Sequence, residues 1–149
     1  MVKKILVAAI GLGVIMSVQA GTNGEITAEL EERVRAHHAA YFEALGSGDL
    51  GSLAEVFTFP AAFKGFLDDV VVATDKASLV SSYEALIAAA PKAARTDVHD
   101  ISVAQVRPNV YMLTFEYSQF GEDDELMHTG KAIYFMKEVD GEIKLFAVF

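Results

Sequence analysis

Cysteine is missing altogether from these 149 residues, and tryptophan with it. The first absence excludes a disulfide framework, thiol nucleophiles and thiolate metal sites, so a stable fold must rest on its apolar core alone. Basic residues are scarce, with 12 Lys and Arg against 21 Asp and Glu. A surface so acidic repels phosphate backbones and anionic lipid, which argues against nucleic acid and membrane partners. Proline occurs three times, at Pro60, Pro91 and Pro108, leaving long stretches free for helices and strands.

No apolar run reaches the ~20 residues needed to cross a bilayer. The longest, residues 5–16, follows Lys3 and Lys4 and leads to small residues at Val18 and Ala20. This pattern predicts a secretory signal over 1–20, cleaved before Gly21, and hence export to the periplasm or the medium. No stable membrane association is expected after cleavage. Without Lys3 and Lys4, ten cations face 21 acids, a formal charge of −11. Residues 21–26 read as a short tether and 27–149 as one domain, long enough to bury a single core.

Within that domain, Thr27 is placed to cap a helix whose Leu30, Val34, His37, Tyr41 and Leu45 share a face. Gly46-Ser47-Gly48 ends it, and Asp49 caps a short second helix with Leu50, Leu53 and Phe57 on its stripe. Phe59-Pro60 breaks that helix, since the residue before a proline is pushed toward extended geometry. Residues 61–66 and 70–73 form a hairpin across Leu67-Asp68-Asp69. Thr74 is expected to cap a third helix with Leu79, Val80, Tyr83, Leu86 and Ile87 on one face, ended by Pro91.

Beyond Thr96 the period becomes that of strands. Residues 98–106 and 110–120 flank a turn at Arg107-Pro108-Asn109, and 127–137 and 142–149 flank Asp140-Gly141. Tyr111, Leu113, Phe115 and Tyr117 point toward the helices, and Val110, Met112, Thr114, Glu116 and Ser118 point away. The fold class is α+β, a curved, mostly antiparallel sheet with helices on one face.

The order of elements and the stretch ALGSGDLGSLAEVF resemble the nuclear transport factor 2-like superfamily, which includes SnoaL-like cyclases and ketosteroid isomerases. The resemblance extends over residues 28–149 and implies a cone-shaped, cystatin-like α+β roll whose sheet wraps the N-terminal helices around a small-molecule pocket. It also implies a role for Tyr41, eight residues before Asp49, like the isomerase tyrosine that donates to the developing oxyanion. The isomerase's general base falls on Gly65, sixteen residues after Asp49, and its second oxyanion acid falls on Ile133, beside Tyr134-Phe135. Two of three catalytic groups are therefore absent.

The expected pocket is lined by Tyr41, His37, Phe57, Phe63, Phe115 and Tyr117, with His128 and Lys131 on its rim. The four histidines, His37, His38, His99 and His128, offer no i, i+4 pair, so no metal site is expected. There is no Gly-x-Ser-x-Gly nucleophile turn, no cofactor signature, and residues 122–125 read as a solvated acidic loop rather than a calcium site. The leading expectation is an exported protein that binds a small apolar or aromatic molecule without catalysis. The alternatives are a SnoaL-like isomerase, cyclase or dehydratase using Tyr41 and His37, and a noncatalytic interaction protein with a filled core. Val110, Met112 and Thr114 on the outer sheet face suggest a homodimer.

Overall fold

The computed structural model describes residues 26–65 and 69–149. The expected signal, the tether up to residue 25, and the turn residues Leu67 and Asp68 lie outside the described residues. Helix α1 spans Ala28–Ser47, with the Thr27 hydroxyl accepting from the Leu30 amide at 3.3 Å. It closes at Gly48, whose φ of 74° is the left-handed geometry that a glycine adopts without strain. Gly46, expected in the break, lies inside the helix. Asp49 caps α2 (Leu50–Glu55) by accepting from the Ser52 amide at 3.0 Å.

Two boundaries differ from the sequence reading. Phe57 does not continue the α2 stripe but opens β1 (Phe57–Lys64), which runs through a cis Phe59–Pro60 bond and pairs with β2 (Val70–Ala73). The Val56 carbonyl accepts from the Leu145 amide at 2.9 Å, so pairing begins as soon as the helix ends. Helix α3 (Lys76–Ala89) is capped by Asp75 rather than Thr74. The Asp75 carboxylate takes the Ser78 amide at 2.8 Å, and the Ser78 hydroxyl returns to the Asp75 amide. Ile87, expected on the apolar face of this helix, is exposed, whereas Leu79 and Tyr83 are buried.

Strands β3 (Arg95–Arg107), β4 (Val110–Phe120), β5 (Leu126–Val139) and β6 (Glu142–Val148) complete a six-stranded sheet in the order β2-β1-β6-β5-β4-β3. All neighbours are antiparallel except β1 and β6, which run parallel. The β5–β6 turn has positive φ at both Asp140 and Gly141, as the short primed hairpin turns require. Alternation along β4 follows the expected faces: Tyr111, Leu113 and Phe115 are buried against the helices, with Val34, Leu53, Leu79, Tyr134, Met136 and Leu145 in the same core. Fully burying a side chain of this kind contributes about 1.5–3 kcal/mol, so the cone interior carries the fold.

Candidate functional site

Four of the six expected pocket residues meet inside the cone. Tyr41, Phe57, Phe63 and Phe115 are each 4% exposed or less. They pack as rings: Tyr41 meets Phe57 at 6.1 Å and Tyr134 at 5.3 Å between centroids, and Phe63 meets Tyr83 at 5.0 Å. The Tyr41 hydroxyl lies 3.1 Å from the Tyr83 hydroxyl. Burial raises the pKa of all three phenols, those of Tyr83 and Tyr134 well above the ordinary value. They are therefore hydrogen-bonding groups and not bases at neutral pH.

His37 does not join them. It faces the other side of α1, where its Nε2–H donates to the Val56 carbonyl at 2.8 Å and ties α1 to the end of α2. It lines an outer groove of about 510 Å3 together with Arg33, Glu55, Glu142 and Lys144. The inward histidine is its neighbour His38, 5% exposed. Residues 37 and 38 stand four and three places before Tyr41, and both spacings place a residue on Tyr41's side of a helix. Only the packing separates them.

His38 sits in a box of aromatic rings, 4.7 Å from Phe115, 4.9 Å from Phe42 and 5.5 Å from Tyr134 between centroids. Its buried Nε2 has no hydrogen-bond partner among the described residues. Burial first, then the Arg35 charge, brings its pKa down to about 4, so the ring is neutral at pH 7. In the sequence His38 stands out only as one of four histidines without a metal-ligand spacing.

From this box a line of rings leads outward. Phe115 meets Tyr117 at 6.3 Å, and Tyr117 meets the exposed His128 at 5.8 Å. Tyr117 and His128 thus extend outward from Phe115, which also meets half-buried Phe42 at 5.9 Å. Lys131, expected on the same rim, points to the opposite face of the sheet and pairs with Glu116 at 2.5 Å.

The two isomerase positions also have clear surroundings. A Cβ on Gly65 would stand 2.1 Å from an Asp69 carboxylate oxygen, so Asp69 occupies the space a side chain there would need. Ile133 is 40% exposed on the outer face, while its neighbour Tyr134 turns inward and reaches Tyr41. Residue 133 thus presents its side chain to the outer face of the sheet. Among the described residues, no three His, Asp or Glu side chains converge in a way that would hold a metal ion.

No family model and no curated protein matches the sequence. Solved structures do match. A protein of unknown function with a cystatin-like fold from Nostoc punctiforme superposes with a TM-score of 0.69 at 14% identity, covering 83% of this chain and 91% of that one. A nuclear transport factor 2-like protein of unknown function from Pseudomonas putida gives 0.68 at 10% identity, covering 83% and 86%. A candidate dehydratase of that family from Streptomyces avermitilis gives 0.59 at 17% identity, covering 79% and 92%. The architecture is thus the nuclear transport factor 2-like, cystatin-like cone. At these identities the likeness concerns the fold, which hosts unrelated activities.

Proposed function

We propose that this is an exported protein whose cone binds, without catalysing a reaction there, a small, uncharged, mainly aromatic molecule against His38 and the hydroxyls of Tyr41, Tyr83 and Tyr134. The observation that carries this reading is the buried, unpartnered Nε2 of His38 within a cage of rings. Such a nitrogen forfeits about 1–3 kcal/mol unless something bonds to it, and a ligand with one hydrogen-bonding group on an aromatic body restores that loss. Entry is proposed past Phe42, the partly exposed ring of the cage. The absence of catalysis in the cone rests on the protonated phenols, which are not bases at neutral pH.

Mass spectrometry of small molecules extracted from natively purified protein tests the reading directly, followed by titration of a phenolic and an enone ligand. Binding is expected to weaken about tenfold in His38→Phe, the equivalent of one hydrogen bond. Wild type and variant binding alike, or not at all, would reject it. The same preparation tests export, with Gly21 expected as the first residue.

A second reading has its own observation: the rings of Tyr41, Phe57, Phe63 and Phe115 already touch neighbouring rings, which is what a filled core looks like. In that case the working surface is the outer sheet face, where exposed Ile133 lies near Met112, Phe135 and Phe146. A homodimer across this face is expected, and light scattering is expected to show Phe146→Glu as a monomer. A wild type that scatters as a monomer at high micromolar concentration would remove this reading.

A further inference from the structure

On the outer sheet face, away from the cone interior, six side chains form a grid on three neighbouring strands. One row places Asp97, Ser118 and Thr129 side by side, and the next row places His99, Glu116 and Lys131 side by side. Between them, the backbone of the Tyr117–Gly130 pair floors a recess of about 350 Å3. Within it the Ser118 hydroxyl lies 3.3 Å from His99 Nε2. Glu116 stands directly across from His99, and its carboxylate is held by Lys131 at 2.5 Å.

We infer that this recess is an acyl-transfer site in which Ser118 is the nucleophile and His99 its base, acting on small uncharged esters. A serine hydroxyl is a weak nucleophile until a neighbouring base accepts its proton, and His99 Nε2 is placed to do so. The Ser118 Oγ bonds to the ester carbonyl carbon as its proton moves to Nε2. The bond from that carbon to the leaving oxygen then breaks, and the departing alcohol or phenol takes the proton from Nε2. Water repeats the sequence on the acyl serine, giving the free carboxylic acid and restoring Ser118.

On the β5 side of the recess Thr129 stands beside Ser118 and Lys131 beside Glu116, so a hydroxyl and a cation border the place where the tetrahedral oxygen becomes negative. The Glu116 charge, across the strand pair, stabilises the imidazolium that exists between the two proton transfers. The excess of 21 acidic over 12 basic residues in the chain opposes the approach of anionic esters, and uncharged ones meet no such barrier. The site shares no side chain with the cone cluster around His38, so it stands or falls separately from ligand binding there.

The experiment mixes the full mature protein with p-nitrophenyl acetate, follows nitrophenolate release, and maps the acetyl group by peptide mass spectrometry. Acetylation of Ser118 is expected, with turnover reduced about a hundredfold or more in Ser118→Ala and in His99→Gln, the usual worth of a lost general base. Acetyl on Lys131 or another amine but not on Ser118, or wild-type turnover by Ser118→Ala, overturns the inference. If a variant fails to fold, labelling of wild-type Ser118 by a fluorophosphonate decides it: modification of Ser118 supports the inference and an unmodified Ser118 rejects it.

Discussion

The Tyr117 ring lies so close over Gly130 that a Cβ on residue 130 would stand 2.6 Å from the phenol carbon and oxygen. The two are direct partners on β4 and β5, and the missing side chain lets the ring lie down toward His128. Gly130→Ala is expected to lift the ring and destabilise the protein by about 1–2 kcal/mol, toward the lower end for overpacking because Tyr117 is only half buried. Thermal unfolding would show a loss of a few degrees. Combining it with Tyr117→Ala should cost less than the sum of the two changes, because the clash is then gone. Strict additivity would mean that the ring does not bear on Gly130.

The Tyr41 and Tyr83 hydroxyls are bonded to each other in the core. Tyr41→Phe therefore strands the Tyr83 hydroxyl, and Tyr83→Phe strands that of Tyr41. Each stranded hydroxyl costs roughly 1–3 kcal/mol. Urea unfolding is expected to show each variant less stable than wild type, and the double variant to lose less than the sum of the two, because it leaves neither hydroxyl stranded. Strict additivity would show that the two hydroxyls do not depend on each other.

The buried imidazole of His38 makes stability depend on pH. Its pKa in the folded state, about 4, lies below its ordinary 6.5, so between these values the unfolded chain binds more protons than the folded one. The folded state is thus favoured fully above pH 6.5 and loses stability as pH falls toward 4. Partly buried His37, also shifted down by burial, works in the same direction. A loss of about 2–3 kcal/mol from His38 is expected over this window. His38→Phe, which suits the aromatic box, should be at least as stable at pH 7 and should flatten the acid slope. An unchanged slope in the variant would place the pH dependence elsewhere.

Isomerisation of a ketosteroid enone is expected to proceed no faster than in buffer. Proton abstraction beside a carbonyl needs a positioned base, typically worth about a hundred- to ten-thousand-fold, and residue 65 is a glycine. The group at that place is the Asp69 carboxylate. Measurable turnover in the wild type that disappears in Asp69→Asn would show that Asp69 has taken the base role, and would end the noncatalytic reading of the cone.

Much of the architecture was legible along the chain because it depends on local physics. The caps at Thr27 and Asp49, the Asp140-Gly141 turn and the two faces of β4 each follow from neighbouring residues, through capping, backbone freedom or alternation. The misplaced features sit where two local signals compete. Phe57 satisfied a helical period but was taken by strand pairing with β6, and Asp75 prevailed over Thr74 because it could also engage Ser78.

The site was decided almost entirely by tertiary structure. Whether His37 or His38 turned inward depended on the packing of α1 against Phe115 and Tyr134, which are distant in sequence. Ile133 and Tyr134 were separated by strand parity, which no count from a neighbouring motif conveys. The approach of Ser118 to His99 exists only through the β3–β4 register, including its irregularity after His99. The sequence alone determined the elements, the acidic surface and the lack of thiol chemistry, because these depend on composition and near neighbours. Which polar groups share a space was decided by long-range pairing, whose register depends on the whole sheet at once.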